Sequence, residues 1–399
     1  MIIQKKPELH LTYCLNVHPG ETWAENLDAI RQKAMTVKLR VAHGAPFGLG
    51  LRLGHQAACE LASPPQATVF REFLADNQLY VFTINGFPYG RFHGQGVKEK
   101  VYQPDWRSTE RRDYTIRLAN ILAGLLPEKT TGSISAVPCS FKPWITKKED
   151  VDRMVEMLMD CVIHLADLHK KTGKEIHLGL EPEPGCYLET TDDFLAFFKK
   201  HILPGGRNFV TSRLKCSAVH GEKIIRRHLG VCFDTCHVAL QFEDLNGAIK
   251  RYRKEGIRIS KIQLSAALEA ESNPQGWRAL QPFCEPVYLH QVVSKTENRK
   301  SKNKRSWNDL PKALADLPSL PACKRLRVHF HVPLFWETAR HLGSTASCLT
   351  PEFFQQLKES VTQHLEIETY TFDVLPDKLR SGDVVDSIVR EYEWVLSRI

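Results

Sequence analysis

No apolar run in the 399-residue sequence approaches the roughly 20 residues that cross a bilayer, so no transmembrane segment is expected. The opening MIIQKKPELH has neither the apolar core nor the small-residue cleavage site of a secretory leader. Cysteine never occurs as CxxC, and its count of 11 is odd. That speaks against a disulfide framework and for reduced thiols in a core, with a cytoplasmic location as the expectation. Internal repeats and linker-like segments are also missing. The net charge of +8 is mild for this length, and much of it lies in residues 295–305, KTENRKSKNKR. That run reads as a solvated loop rather than a nucleic-acid or membrane patch.

What is present is alternation. Length alone allows two average domains or one large barrel. Short β-rich runs alternate with helical patterns almost from end to end, as expected of βαβ units around a parallel sheet. The runs cover residues 9–17, 47–53, 79–85, 132–138, 176–184, 229–237, 259–265, 325–333 and 364–372. Among the helices, residues 149–170 carry Val151, Met154, Val155, Leu158, Val162, Leu165 and Ala166 at helical spacing. A second helix is expected from Asp105 through Leu126, and a last one after Gly382 and Asp383. Nine runs are one too many for an eight-stranded barrel, and the Pro-punctuated connection after Ser265 is the suspect. The expected fold is α/β, a single (β/α)8 TIM barrel over residues 1–399 with an elaborated insertion at 266–325.

In such a barrel the C-terminal strand ends form the reaction site. Here those ends are acidic or histidine-bearing. The run at 176–184 closes on EPEP, so its prolines should stop the ladder near Glu181 and turn that carboxylate into the mouth. LGVCFDTCH delivers Asp234 and, one short turn later, His237; ISKIQLS carries Gln263. Period-two alternation puts His329 and His331 on one face and does the same for Glu366 and Glu368. Singly, each has an ordinary reading: His331 as a hydrogen-bonded core residue, Glu366 as a solvated strand start, Glu183 as a turn cap. Together, Glu181, Asp234, His237 and Glu368 come from three strand ends and form a ligand set for Mn, Zn, Co or Mg. Asp234 is expected to bind the ion, and His237 either binds it too or faces the substrate. The loop from Asn85 to His93, NGFPYGRFH, is read as a substrate wall through Asn85, Phe87 and Tyr89, with His93 closing it or simply exposed.

GVCFDTCH, EPEP and LEIET resemble motifs of the xylose isomerase-like barrels, the superfamily that also holds endonuclease IV and the sugar epimerases. The blocks LTYCLNVHPGETWAENL, GLGLRL, VFTINGFPYGRFH, VKEKVYQPDW, GLEPEPGC, FCEPVYLHQVV, RVHFHVPLF and LEIETYTFDVLP are similar to one branch, the EboE-like metabolite traffic proteins. They extend from near residue 10 to about 376. The resemblance implies that Glu181 and Glu368 ligate metal and, in the epimerases, exchange protons with a substrate carbon from opposite faces. It implies metal binding for Asp234, and for His237 contact with substrate oxygen or a second metal. Two positions depart. Gln263 stands where the epimerases commonly have a metal-binding histidine; its amide oxygen is expected as a weaker, neutral ligand, and His329 or His331 could supply the missing imidazole. Glu183 stands where the EPKP isomerases have a catalytic lysine, so their hydride shift is not implied.

The leading expectation is a divalent-metal-dependent isomerase or epimerase-like enzyme acting on a small metabolite, in processing or export of secondary metabolites. A non-catalytic metabolite carrier is the alternative. An endonuclease IV-like phosphodiesterase is a third reading; it would need further histidines, for which His55 and His93 are the candidates, and the mild charge argues against a nucleic-acid partner. Oligomeric state is not legible.

Overall fold

The structure, a computed structural model, describes residues 1–94, 96–295, 304–320, 323–336, 338–376, 380 and 382–399. Most of the basic run at 295–305 lies outside the described residues. Among those described, fourteen strands fall into two sheets. In the first, β1 (Ile2–Lys5) pairs antiparallel with β2 (Glu8–Tyr13). From there, β3 (Phe47–Arg52), β4 (Leu79–Asn85), β5 (Gly132–Ala136), β6 (Ile176–Leu180), β7 (Leu229–Asp234) and β8 (Arg258–Leu264) pair in sequence and in parallel. The second sheet holds β9 (Ala267–Glu271), β10 (Val292–Lys295), β11 (Lys304–Trp307), β12 (Arg325–His331) and β13 (Leu342–Ser344) in the antiparallel order β11-β10-β12-β9-β13. β14 (His364–Ile367) returns to the first sheet, parallel to both β8 and β2. A parallel bridge from Cys14 to Gly50 joins β2 to β3 and closes the eight-stranded ring. The fold is the expected (β/α)8 barrel.

The ninth run, 325–333, falls in the inserted sheet, which runs from Ala267 to Ser344 rather than over 266–325. β9 begins just after β8 ends, and Val332 N donates to Ala266 O at 2.9 Å, so the insertion is tied to the C-terminal end of the barrel. Among the helices, Lys148–Thr172 buries Met154, Leu158 and Val162 and stops at Gly173, whose φ of 72° is the left-handed cap glycine permits. The helix expected from Asp105 starts later, at Thr109, because Ser108 caps it through Glu110 N. The last helix, Val384–Leu396, follows its Asp383 cap.

Several strands end earlier than the apolar runs suggest. β7 stops at Asp234 because that carboxylate accepts from Cys236 N and His237 N and starts the helix Thr235–Leu240. His237 therefore sits in a helical turn. The barrel interior is unusually polar: Ser133 Oγ bonds Thr83 Oγ1 at 2.8 Å and His364 Nδ1 at 2.9 Å, and Lys261 pairs with Glu366, both fully buried. Gly50 makes room for this pair. A Cβ there would come within 2.3 Å of Glu366 Oε1 and 2.7 Å of Tyr13 O. All 11 cysteines are unpaired. No described helix is long and apolar enough to cross a membrane.

Candidate active site

At the C-terminal end of the barrel, Glu181, Asp234 and Glu368 converge from β6, β7 and β14, with ligand oxygens within 4.8 Å of one another. Each is nearly inaccessible, at 2%, 1% and 4% exposure. Backbone bonds continue the ladders up to two of them: Glu181 N donates to Ala136 O, and Glu368 N to Leu264 O at 3.0 Å. Asp234 Oδ1 is saturated by Cys236 N (2.7 Å), His237 N (3.1 Å) and Ser265 Oγ (2.6 Å), whereas Asp234 Oδ2 has no partner. Glu181 Oε2 has none either. Glu368 Oε1 accepts from Asn16 Nδ2 and from Asn85 Nδ2.

Three buried carboxylates this close are costly to ionise together. Burial, then the neighbouring acids, push Glu181 and Glu368 well above the usual carboxylate range. Asp234 is held low: burial opposes its charge, but His237, His331 and the Ser265 hydroxyl outweigh it. The buried cation that acts on the two glutamates, Lys261, is already paired with Glu366. An all-oxygen set with orphaned lone pairs fits a divalent cation, which would satisfy Glu181 Oε2 and Asp234 Oδ2 at once.

The histidines surround this floor. His237 Nδ1 lies 2.9 Å from Pro182 O, and its Nε2 lies 3.0 Å from His329 Nε2. His331 Nδ1 meets Glu368 O at 2.8 Å. Alternation on β12 brings His329 and His331 to the same face, with ring centroids 5.4 Å apart. Gln263 levels with Asp234 in the β7–β8 register, but its Oε1 accepts from Cys232 Sγ at 2.9 Å. An imidazole reaches Asp234 from β12 instead, through His331.

Above the floor is a cavity whose polar end is Glu181, Glu183, Glu368, His237 and His329. Its wall is aromatic and apolar, with Phe87, Phe92, Tyr102, Tyr288 and Tyr370. Glu183 accepts from Tyr102 Oη at 3.1 Å, and burial pushes its carboxyl up to about 8. Of the loop residues singled out in the sequence, Asn85 and Phe87 line the cavity. Tyr89 turns away and stacks on His55, with centroids 4.6 Å apart. His93 bonds Asn16 O at 2.6 Å and Tyr288 Oη at 3.2 Å, bracing the wall from behind. Glu366 lies deeper in the barrel, on Lys261.

No protein-family model and no curated protein matches the sequence. Solved structures similar in fold include the probable 3-DHS dehydratase AsbF of Bacillus anthracis, involved in petrobactin synthesis. It is 12% identical with a TM-score of 0.47, over 96% of this chain and 98% of that one. The IolI protein with a bound zinc atom is 11% identical with a TM-score of 0.46, over 98% and 99% of the two chains. A D-tagatose 3-epimerase-like protein is 12% identical with a TM-score of 0.39, over 64% and 76%. The identities are low, and the chemistry of the site rests on its own side chains.

Four further residues, Asn16, Lys261, Tyr102 and Gln291, support the site. Asn16 follows the first barrel strand as a polar residue at a strand end, the same sign that marked Asp234. Lys261 is inward-facing by parity with Gln263, which alternation could have revealed. Tyr102 and Gln291 reach the site from a short 3-10 turn and from the residue just before β10, where no periodicity applies.

Proposed function

We propose that this protein is a divalent-metal-dependent enzyme of the isomerase or epimerase type, acting on a small polyhydroxylated or carbonyl-bearing metabolite. The observation that carries the reading is the buried trio Glu181, Asp234 and Glu368, two of them with orphaned oxygens, at the floor of a cavity. When bound there, a divalent ion polarises a carbonyl and its neighbouring hydroxyl and acidifies the adjacent C–H. The chain's own groups then have distinct work. Glu181 and Glu368 hold or accept the proton, and Asn16 and Asn85 fix the orientation of Glu368. Glu183, protonated near neutral pH and bonded to Tyr102, is a neutral acid facing the ligand. Phe87, Tyr288 and Tyr370 exclude water. The EboE-like sequence blocks support a setting in the processing or export of secondary metabolites.

Metal content by mass spectrometry, on protein purified without chelators, tests the reading alongside Asp234→Ala and Glu368→Ala. Near-stoichiometric metal in the wild type, lost in both variants with folding retained, is expected, followed by turnover in a screen of sugars and ketones. Wild-type protein free of metal and unable to take it up would overturn the enzyme reading and leave a metabolite carrier on the same barrel.

A further inference from the structure

The opposite end of the barrel holds a cleft that the chemistry proposed above does not use. It opens where β6 and β8 begin and where residues 360–363 lead into β14. Its charged lining is Arg226, Arg253 and Arg258 against a single carboxylate, Glu175. That carboxylate is already committed, to Arg258 at 2.8 Å and to Arg227, from outside the lining, at 3.6 Å. Arg226 donates from Nε to Glu222 Oε1 at 2.9 Å and from Nη1 to Glu255 O and Gly256 O. The Arg253 side chain is exposed and has no partner among the described residues. The cleft therefore carries an excess of positive charge on guanidinium groups, whose fork matches an oxyanion.

The inner wall of the cleft supplies a second, independent observation. His177, on β6, lines it at 3% exposure, and its Nδ1 is buried without a partner. Its ring stacks on that of His364, with centroids 5.4 Å apart, yet the two rings differ. His364 uses both nitrogens, Nδ1 with Ser133 Oγ at 2.9 Å and Nε2 with Thr131 Oγ1 at 3.2 Å. The His177 ring makes no hydrogen bond among the described residues. Burial, then the Arg258 guanidinium, hold it well below the ordinary imidazole range, so the ring is neutral. A neutral imidazole has one N–H and one lone pair, and here neither is engaged.

We propose that this cleft binds a small phosphate-type oxyanion, with Arg253 and Arg258 as its charged contacts and His177 as the imidazole donor on its inner wall. Arg258 is then shared between the anion and Glu175, while Arg226, held by its own hydrogen bonds, adds charge without moving. The site lies at the N-terminal end of the barrel strands and the carboxylate trio at the C-terminal end, so the proposal does not rest on the metal-dependent reading.

Isothermal titration of the full-length protein with inorganic phosphate is the test, with chloride holding the ionic strength constant so that screening is not read as binding. A single saturable site is expected for the wild type. Arg253→Gln, a change at an exposed side chain, should weaken it by about fivefold, the upper end for one exposed ion pair. Arg258→Gln should weaken it by about tenfold or more, since Glu175 then loses its nearer partner and repels the anion. His177→Phe keeps a ring against His364 and should weaken binding by about tenfold through the lost donor. Glycerol 3-phosphate, titrated separately, distinguishes the sources: tighter binding of the ester makes the occupant the phosphate group of a metabolite, tighter binding of the ion makes it free phosphate, and either supports the site. No saturable binding, or binding unchanged in both arginine variants, would overturn it; the second result would place phosphate elsewhere, such as on a cation at the barrel mouth. Weakening in the arginine variants with His177→Phe like the wild type would overturn the part given to the imidazole.

Discussion

Asn16 Nδ2 donates to Glu368 Oε1 at 2.8 Å, so the loop that leaves the first barrel strand fixes the carboxylate that ends the last one. Asn85 Nδ2 adds a second bond to the same oxygen at 3.1 Å. Both amides therefore hold one oxygen of Glu368 and leave the other free for the proposed cation. Groups that orient a ligand in this way typically contribute about 10–100-fold to metal affinity. Asn16→Ala should weaken binding by about that factor, measured by competition with a chromophoric chelator, with little change in thermal stability. Affinity unchanged in both Asn16→Ala and Asn85→Ala would remove the orienting role.

Lys261 and Glu366 are a fully buried ion pair in the barrel interior. Removing one partner of such a pair leaves an uncompensated charge, at a cost of about 3–5 kcal/mol, while replacing both is often neutral. Lys261→Met should lower stability in urea by that amount, and the double variant Lys261→Met/Glu366→Gln should recover most of it. A double variant no more stable than Lys261→Met alone would show that the lysine acts through packing rather than charge.

These two relationships also mark how far the sequence can be read. Period-two alternation and proline placement located Glu181, Asp234 and Glu368, because a parallel strand that ends in a polar residue must turn it into the mouth. The same rule paired His329 with His331. It could not say which sheet they belong to, since antiparallel pairing of β12 with β9 and β10 is set by contacts distant in sequence. Alternation turns Lys261 inward, but its partner Glu366 lies 105 residues away and nothing local identifies that partner. Tyr89 fell on the wrong side of the loop because Arg111, itself buried, stands under its ring and that of Tyr114.

Arg111 also supports the cavity wall. Its guanidinium donates to Pro104 O at 2.7 Å, Gly86 O at 2.8 Å and Phe87 O at 3.2 Å, tying Phe87 to the helix Thr109–Leu125. Burial lowers its pKa to about 10, so it stays charged at neutral pH. Arg111→Met leaves three buried carbonyls without a donor, at about 1–3 kcal/mol for each that water cannot reach. A stability loss of several kcal/mol in urea is expected. Arg111→Lys should fold better yet bind a cavity ligand more weakly, because a single ammonium cannot reproduce the fork. Equal stability of Arg111→Met and wild type would mean that water satisfies those carbonyls.

Glu391, on the last helix, is buried and holds the chain beside the site: its Oε1 accepts from Thr369 Oγ1 at 2.7 Å and from Leu334 N at 3.1 Å. Burial raises its pKa from 4.5 to about 7. For an acid shifted upward, the native state keeps a proton that the unfolded chain gives up. Between pH 4.5 and about 7 stability therefore falls as pH rises, and the loss is complete above that window. At 1.36 kcal/mol per unit of pKa, the total is about 3 kcal/mol. Glu391→Gln keeps the acceptor oxygen without the charge, so it should match the wild type near pH 4.5 and exceed its stability by about 3 kcal/mol at pH 8. Urea unfolding of both proteins at the two pH values, with metal held constant, measures the difference directly. A gap of the same size at both pH values would mean that the two proteins differ by packing and that Glu391 does not titrate in this window.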